Sequence, residues 1–470
     1  MRGERELPVG WEWSSIQQTA ETVFGQSPPS SSYNSRGEGL PFFQGKAEFG
    51  ERHPSAEKWC TKPTREAIPG DILISIRAPV GPTNVANQVC AIGRGLAAIR
   101  PLIDPEYVRF WLKRSEQELA QKGTGTTFSA ISKNVLNTHL LPVAPLNEQR
   151  RIVEKIETLF ARLGQGEAAL RHTQTLLARY RQSVLKAAVT GALTADWRAA
   201  NAHRLEHGRD LLARILQTRR ETWQGRGKYQ EPAAPDTSNL PELPEGWVWA
   251  SVDQLSHNHD GRRILLKRSE RDKRGGRYPY YGAQGIIDDI DDYLFDGLYL
   301  LVAEDGANLL SRVKPLALQA HGKFWVNNHA HVLEIIPGSS LDFVELAINS
   351  LDISLSVTGT AQPKLTQAAL NRLAVPLPGE AEQSRICELV QEAFARGKRV
   401  GEWCQTELTR SAALRQSILK DAFAGKLVPQ DPSDEPAAEL LARIRASRAT
   451  PSGRVGKAQR AHAEPTTDDR

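Results

Sequence analysis

The sequence predicts an α/β (α+β) protein in which two pseudo-symmetric globular domains are joined by two long helices. Three observations support this fold class. Short motifs recur along the chain at a nearly constant offset, two long windows lack proline, and the segments between them alternate short apolar runs with turn residues. Recurring motifs indicate a duplicated structural unit, and windows without proline permit uninterrupted helices.

The internal repeat is visible in two motifs above all. The run Leu-Pro-x-Gly-Trp at residues 7–11 returns 236 residues later, and the pair Glu148-Gln149 returns after 234 residues. The segments between these motifs, at about 14–120 and 250–355, barely resemble each other. Because drift alone would blur all segments alike, the pattern indicates one duplicated scaffold that carries two dissimilar domains.

The repeat also predicts the domain boundaries. In each copy a divergent domain, called a head below, is followed by a shared helical region. The copies are separated by a linker rich in proline and polar residues, and the polar end of the chain is expected to be disordered. The predicted parts are 1–140 (first head), 141–225 (first helical region), 226–242 (linker), 243–376 (second head), 377–448 (second helical region) and 449–470 (tail).

Each shared region is predicted to form one long helix, since residues 146–231 and 379–428 contain no proline. In the first copy apolar residues recur every seven positions, which is typical of a coiled-coil seam. The second copy is noisier, and Gly397 and Gly401 predict a bend or loosened packing. The seam is predicted to contain Ile156, Leu163, Leu170, Leu177 and Val184 in the first copy and Ile386, Val400 and Leu414 in the second.

The length of these helices suggests a spacer. About 35 helical residues span roughly 50 Å, which exceeds one turn of B-DNA, about 34 Å. A spacer of that length is able to hold two DNA-reading domains one or more turns apart. A plain helical bundle without a spacer role accounts for the heptads equally well.

The heads are predicted to combine short strands with short amphipathic helices. Apolar runs indicate strands at 71–77, 298–303 and 332–336, of which the first and the last are stopped by a proline. Amphipathic patterns indicate helices at 104–121 and 341–352. A further repeated helix is expected at 205–220 and 434–448.

Composition and missing motifs exclude several classes of function. The formal net charge of +5 is a mild bias toward anionic partners, and the four cysteines form no CxxC pair that would suggest zinc. No apolar run is long enough for a membrane span and no signal core opens the chain, so a cytoplasmic protein is expected. The chain lacks a phosphate-binding loop, an amino-methyltransferase tetrapeptide and a clear nuclease motif. A non-catalytic binding role without bound cofactor or metal is therefore expected.

A dense basic segment opens the second head. Eight lysines and arginines against two acidic residues fall between 262 and 277, and tyrosines and Gln284 follow. Positive charge beside aromatic and amide groups suits contacts to DNA phosphates and bases, although a solvated charged loop is the alternative. The candidate DNA-binding residues are Arg36, Lys46, Arg77, Arg94, Lys122 and Thr124 in the first head and Arg262, Arg263, Lys267, Arg268, Arg274, Tyr281, Gln284 and Lys364 in the second.

The order of these motifs resembles the specificity subunits of type I restriction-modification systems. The resemblance rests on the two Leu-Pro-x-Gly-Trp runs, the run at 141–152, the repeated motif Arg-Gln-Ser-(Val/Ile)-Leu and the sequence motif at 280–287. It implies that each head is a target recognition domain for one half of a split DNA sequence. It also implies that the helices pair as an antiparallel coiled coil and fix the gap between the half-sites.

The resemblance further implies partners for this chain. Two modification subunits would supply adenine methylation with S-adenosylmethionine, and two restriction subunits would add translocation and cleavage with ATP and Mg²⁺. Three alternatives remain open at this stage: a specificity subunit of another restriction-modification type, a self-contained nuclease or methylase, and a coiled-coil scaffold that never touches DNA.

Overall fold

The computed structural model describes residues 6–124, 129–223, 228–359 and 362–449, and nearly all of the predicted tail lies outside these ranges. The chain forms two compact units. The first unit contains Met1–Leu170 and Thr406–Arg470, and the second contains Arg171–Gln405. Within the described ranges, every helix is either too short or too polar to cross a membrane.

Three small sheets build the first head. A two-stranded antiparallel sheet has the order β1-β11, a four-stranded sheet has the order β2-β10-β7-β8, and a five-stranded sheet has the order β3-β5-β4-β9-β6. The strands are β1 (Glu12–Ser15), β2 (Ala20–Phe24), β3 (Tyr33–Asn34), β4 (Leu40–Phe43), β5 (Trp59–Cys60), β6 (Glu66–Ala67), β7 (Ile72–Ser75), β8 (Thr83–Val85), β9 (Cys90–Ile92), β10 (Leu96–Pro101) and β11 (Leu140–Val143). Short helices α1 (Ile16–Thr19), α2 (Pro105–Arg114), α3 (Glu116–Gln121) and α4 (Lys133–Asn137) connect them.

A long helix, α5 (Leu146–Val189), follows β11 and has residues in both units. Two shorter helices, α6 (Ala195–Asn201) and α7 (Gly208–Glu221), complete the first repeat.

The second head has a different sheet order. One two-stranded sheet pairs β12 with β19, and a six-stranded sheet has the order β13-β18-β16-β17-β14-β15. The strands are β12 (Val248–Ser251), β13 (Ser256–Asn258), β14 (Gly275–Gly282), β15 (Gly285–Ile290), β16 (Phe295–Ala303), β17 (Ala317–Val326), β18 (Ala330–Ile335) and β19 (Ala374–Leu377). The helices are α8 (Val252–Leu255), α9 (Arg268–Arg271), α10 (Asn308–Ser311), α11 (Leu341–Ser350), α12 (Gln367–Asn371), the long α13 (Glu380–Ala422) and α14 (Ala437–Ala449). The predicted fold class is confirmed, and the sequence divergence of the heads corresponds to different sheets.

The repeated motifs meet at the point where each head joins its long helix. The indole of Trp11 donates to Glu148 at 3.0 Å, and the indole of Trp247 donates to Glu382 at 2.9 Å. The glutamine after each glutamate then ties the helix to the head, because Gln149 accepts from the backbone of Asp104. We call these two contact sets the first and the second junction. They explain why tryptophan and Glu-Gln recur at nearly the same offset.

Two repeated glycines are also required at the junctions. Gly191 and Gly425 have backbone φ angles of +73° and +68°, which residues other than glycine rarely adopt. A Cβ at Gly191 would lie 2.5 Å from Pro244, and one at Gly425 would lie 2.3 Å from Pro8. The proline of each Leu-Pro-x-Gly-Trp run therefore packs directly on a turn that follows a long helix.

The last helix of each repeat packs on a head within one unit. In the second unit the amide of Gly208 in α7 donates to the carbonyl of Gly246 at 2.7 Å. In the first unit the amide of Ala437 in α14 donates to the carbonyl of Gly10 at 2.9 Å. Helix α14 thus occupies the position in the first unit that α7 occupies in the second.

The two long helices are paired antiparallel in each unit. In the first unit Phe160 lies under the guanidinium of Arg415, and Glu167 bonds Ser411 at 2.7 Å. Residues later in α5 therefore contact residues earlier in α13, so the two helices run in opposite directions. In the second unit the same order is seen, because Leu177 lies beside Gly397 and Gly401 whereas Arg181, further along α5, lies over the earlier residue Phe394. At 44 and 43 residues, each helix spans about 65 Å, longer than the 35 residues expected.

The seam prediction holds better for α5 than for α13. Ile156 and Val184 are buried, and Leu163, Leu170 and Leu177 are partly buried. In α13 Ile386 is buried, whereas Val400 and Leu414 are 39% and 46% exposed and do not lie in the seam. The buried face of α13 instead follows a line of the same spacing that starts four residues after Ile386, since Val390, Cys404, Ser411 and Ile418 are buried.

Small residues replace the missing apolar side chains in α13. Leu177 of α5 lies beside Gly397 and Gly401 of α13: a Cβ built on these glycines would be 3.9 and 3.7 Å from its side chain. Cys404, further along the same face, is fully buried. α13 also continues as one helix through both glycines. A Cβ at either position would make only ordinary contact with Leu177, so the bend or loosened packing expected at these glycines stays a prediction.

Candidate nucleic-acid interface

Three cations of the first head, far apart in sequence, surround one pocket. Lys46 follows β4, Arg77 follows β7, and Arg94 lies in the turn between β9 and β10. Together with Gln44 and Ser75 they line a cavity of about 150 Å³. All three cationic side chains are exposed. The sequence offered them only as scattered surface residues, and the sheets bring them together.

These three cations also lack acidic partners. No carboxylate of the described residues lies within ion-pair distance of Lys46, Arg77 or Arg94. Like charges gathered around a small pocket repel one another, and an anion placed among them relieves that repulsion. The first head therefore presents a site suited to phosphate or to the acceptor atoms of a base edge.

The other first-head candidates are less available to a ligand. Arg36 makes two hydrogen bonds to Glu38 at 3.0 and 3.1 Å, and this partner raises the pKa of the guanidinium. Lys122 is bonded to Glu118 at 2.7 Å. Thr124 is exposed and pairs with Ala130 through the backbone, next to residues 125–128, which lie outside the described ranges. Neighbouring carboxylates thus already neutralise Arg36 and Lys122.

Several arginines of the basic segment are used inside the second head. Arg263 is only 12% exposed and donates to Glu304 at 2.6 Å and to the carbonyl of Ala330 at 2.8 Å. Lys364 binds the other oxygen of the same carboxylate at 2.9 Å. Arg263 is therefore a buried structural cation, and Lys364 is held in a structural ion pair. Tyr281 is likewise only 8% exposed, and burial raises the pKa of its hydroxyl.

Arg262 and Arg274 are fixed on aromatic rings. Arg262 lies over Phe295 at 4.6 Å and donates to the carbonyl of Leu294 at 2.8 Å. Arg274 lies over Trp325 at 5.1 Å and pairs with an aspartate at 2.8 Å. Stacking of this kind positions a guanidinium and lowers its freedom to move. The main contacts of these two side chains are therefore structural, within the second head.

Four of the remaining cations of the segment face solvent without an acidic partner, whereas Arg271 pairs with Asp288 at 2.9 Å. Lys267 and Arg268 lie at the start of α9, and Lys273 and Arg277 follow it; all four are exposed, and none forms an ion pair with a described carboxylate. Gln284 is exposed in the tight turn between β14 and β15. These residues form the second candidate DNA surface, which is smaller than the sequence indicated because folding neutralises part of its charge.

Sequence reasoning missed one part of this surface. Lys323 of β17 lies 4.4 Å above the ring of Tyr293, which in turn lies 5.2 Å from Tyr278. Arg277 covers the other ring at 5.1 Å. The patch alternates cations and aromatic rings, a combination that suits contacts to nucleic acid. No local signal reveals it, because it joins residues from three separate segments.

A cluster of possible metal ligands lies inside the second head. One ligand atom each from Asp260, Glu304 and His331 lie within 4.8 Å of one another, and all three residues are buried. Burial by itself would raise the pKa of Asp260. The hydrogen bond from His331 and the charge of Arg263 outweigh this effect, so the net shift of the pKa is downward. Since Arg263 and Lys364 already balance both carboxylates, the cluster fits a buried charge network better than a divalent cation.

Comparisons with known proteins agree with this arrangement. The model of the type I restriction modification DNA specificity domain family matches residues 8–169 and 244–396. The specificity subunit of the type I restriction enzyme EcoDI of Escherichia coli is 25% identical, over 96% of this chain and 98% of that protein. The specificity subunit named for the MjaX type I enzyme of Methanocaldococcus jannaschii is 40% identical, over 33% of this chain and 37% of its own length.

Among solved structures, the crystal structure of the HsdS subunit from Thermoanaerobacter tengcongensis is 48% identical. It covers 33% of this chain and 38% of that one, with a TM-score of 0.30. The two domain matches, one in each repeat, together cover more than half of the sequence. The chain therefore belongs to the type I restriction-modification DNA specificity family and carries two copies of its domain.

Proposed function

We propose that each head reads one half of a split DNA target and that the paired long helices set the unread gap between the halves. As a type I specificity subunit the chain confers DNA specificity and is not itself catalytic. One observation carries the proposal. The two junctions are built from the same motifs, whereas the heads they hold have different sheets and different charged surfaces.

The proposal includes partners. Two modification subunits would methylate adenine with S-adenosylmethionine, and two restriction subunits would use ATP and Mg²⁺ to translocate and cut DNA. A related structure is described as showing the assembly of a type I restriction-modification complex, which supports a multi-subunit setting. The direct test is methylation mapping in the host genome with and without this chain. A split motif methylated only in its presence is expected, and methylation by the purified chain alone would contradict the assignment.

Exchanging the first head is expected to change one half of the target only. Residues 14–130 would be replaced by the corresponding segment of another specificity subunit, while the first junction keeps its own Trp11 and Glu148. The other half-site and the gap should be unchanged, because the second head and both helices are untouched. Methylation mapping reads out both halves at once, and a change in both would refute independent reading.

Lengthening both helices together is expected to lengthen the gap. Seven residues would be inserted after Gly166 in α5 and seven after Ala412 in the facing part of α13. Seven helical residues add about 10 Å, the rise of about three base pairs. The methylated motif should therefore gain about three unread base pairs with both half-sites unchanged.

An insertion of equal length after Asp236 is the control for this experiment, since that residue is exposed in the linker before β12. It should leave the gap as it is. Equal gaps in all three proteins would show that the helices do not set the spacing.

A further inference from the structure

A second pocket of the first unit lies beside the three-cation pocket and shares Lys46 with it. Its volume is about 350 Å³. Its walls come from the head and from both long helices: Thr83 of β8 and Lys113 of α2 face Phe160 of α5 and Arg415 of α13. Arg415 belongs to the second repeat, so this pocket joins residues from both copies within one unit.

Lys113 makes this pocket electrostatically unusual. The lysine is partly buried, and no described carboxylate lies within ion-pair distance of it. Its burial lowers the pKa of the ammonium group, and the nearby charges of Arg109 and Arg415 lower it further. The carboxylates of Glu106 and Glu116 act in the opposite direction without offsetting this effect. A partly buried cation beside other cations is stabilised when an anion enters.

The charges facing the pocket favour an anion over a cation. Arg415 pairs with Glu167 at 3.0 Å and lies over the ring of Phe160. Its charge is thus partly balanced. Lys46 and Lys113 supply the uncompensated positive charge, against the single carboxylate of Glu116 in the wall.

A buried hydroxyl gives independent support for a polar ligand. The side-chain oxygen of Thr83 is buried and has no hydrogen-bond partner among the described residues. Leaving such a group unsatisfied costs about 1–3 kcal/mol. Because Thr83 lines the same pocket as Lys113, rotation about its χ1 bond would turn this hydroxyl toward a ligand oxygen bound there, which would accept its hydrogen bond.

We propose that this pocket binds a backbone phosphate of DNA. Adjacent phosphates or base edges of the same strand would occupy the three-cation pocket. The proposal rests on the proposed DNA-reading function of the first head. It extends that function, because Arg415 makes the second repeat part of the binding site for the first half-site. Lys46 lines both pockets, so it would contact the ligand groups in each.

The test replaces Lys113 by glutamine in the full chain and measures the dissociation constant for a target duplex over a range of salt concentrations. Removal of one phosphate contact should lower the slope of log K against log salt by about one and weaken binding about tenfold at every sequence. Lys155→Gln is the matched control, since Lys155 is exposed on α5 of the same unit. It should change neither the slope nor the affinity.

A second variant keeps the proposal testable if Lys113→Gln alters folding. Thr83→Val removes the hydroxyl without changing charge, so it should weaken DNA binding severalfold, leave the salt slope unchanged and not lower the melting temperature. An unchanged DNA affinity in both variants would overturn the proposal while leaving the proposed function intact. Absence of salt-dependent binding by the unmodified chain would instead overturn the proposed function.

Two further measurements identify the source of the anion. If inorganic phosphate raises the melting temperature of the unmodified chain but not of Lys113→Gln, and DNA affinity is equal in both, the pocket binds a free anion. If only the binding of a modification subunit weakens in Lys113→Gln, the pocket receives an acidic side chain of that partner. Either result would overturn the assignment to DNA.

Discussion

Simultaneous replacement of Lys46, Arg77 and Arg94 by glutamine is expected to weaken DNA binding roughly a thousandfold. Each of these cations lines the same pocket without a described acidic partner, so each is available to the ligand. A hydrogen bond to a charged group contributes about 1.5–3 kcal/mol, which is about tenfold or more in affinity for each residue. If all three bind phosphates, the slope of log K against log salt should also fall by almost three.

A double variant of the same head provides the control. Arg36→Gln with Lys122→Gln removes two positive charges from the first head, against three in the triple variant, but Glu38 and Glu118 already neutralise these two. This protein should bind DNA within about threefold of the unmodified chain. Binding would be measured by fluorescence anisotropy on one duplex at several salt concentrations. Equal losses in the triple and double variants would show that net charge, and not the pocket, drives binding.

The two junctions are expected to respond differently to the loss of their buried carboxylate. In the second junction Glu382 accepts from Thr194 and from Arg198, both at 2.7 Å, as well as from Trp247. In the first junction one oxygen of Glu148 is buried without a partner among the described residues. Glu382→Gln should therefore destabilise the second unit by about 3 kcal/mol, because the partly buried Arg198 loses its counter-charge. Glu148→Gln should cost less than about 1 kcal/mol.

Glu148 also predicts a pH dependence of the first junction. Burial raises the pKa of Glu148 despite the hydrogen bond from Trp11. Since the pKa is higher in the folded chain, protonation stabilises the folded state. This contribution is complete below the ordinary carboxyl value of 4.5 and is lost as the pH rises through the raised pKa.

Hydrogen exchange read by mass spectrometry separates the junctions, because it reports opening of each segment by itself. After correction for intrinsic exchange rates, peptides around Trp11 should become more protected as the pH falls from near neutral. Glu148→Gln should remove that trend. Peptides around Trp247 should lose protection in Glu382→Gln. Equal effects of both substitutions would contradict the asymmetry of the junctions.

Much of the architecture follows from the sequence because its signals are local or repeated. Proline-free windows predicted both long helices, and apolar runs that end at proline predicted strands such as β7. The heptad count succeeded for α5, where leucines mark the seam. It was wrong for Val400 and Leu414 in α13, where glycine, serine and cysteine form the buried face and carry no apolar signal.

The candidate sites show the limit of the same reasoning. A dense run of arginines predicted a basic surface at 262–277, yet Arg263 is buried against Glu304, a carboxylate 41 residues away. Conversely, Lys46, Arg77 and Arg94 are unremarkable in sequence and form the most coherent cationic site. Charge can be counted along a chain, but its availability depends on which carboxylates and rings the fold places beside it.

By itself, the sequence determined the duplicated plan of this protein: two dissimilar heads, a shared pair of long helices and the family to which the chain belongs. Those features depend on periodicity and on motifs that recur at a nearly fixed offset, which survive without knowledge of contacts. Only the tertiary structure decided which cations are available to DNA, which helix face forms the seam and how the repeated tryptophans and glutamates meet. Each of these depends on contacts between residues distant in sequence, and such contacts leave no local pattern to read.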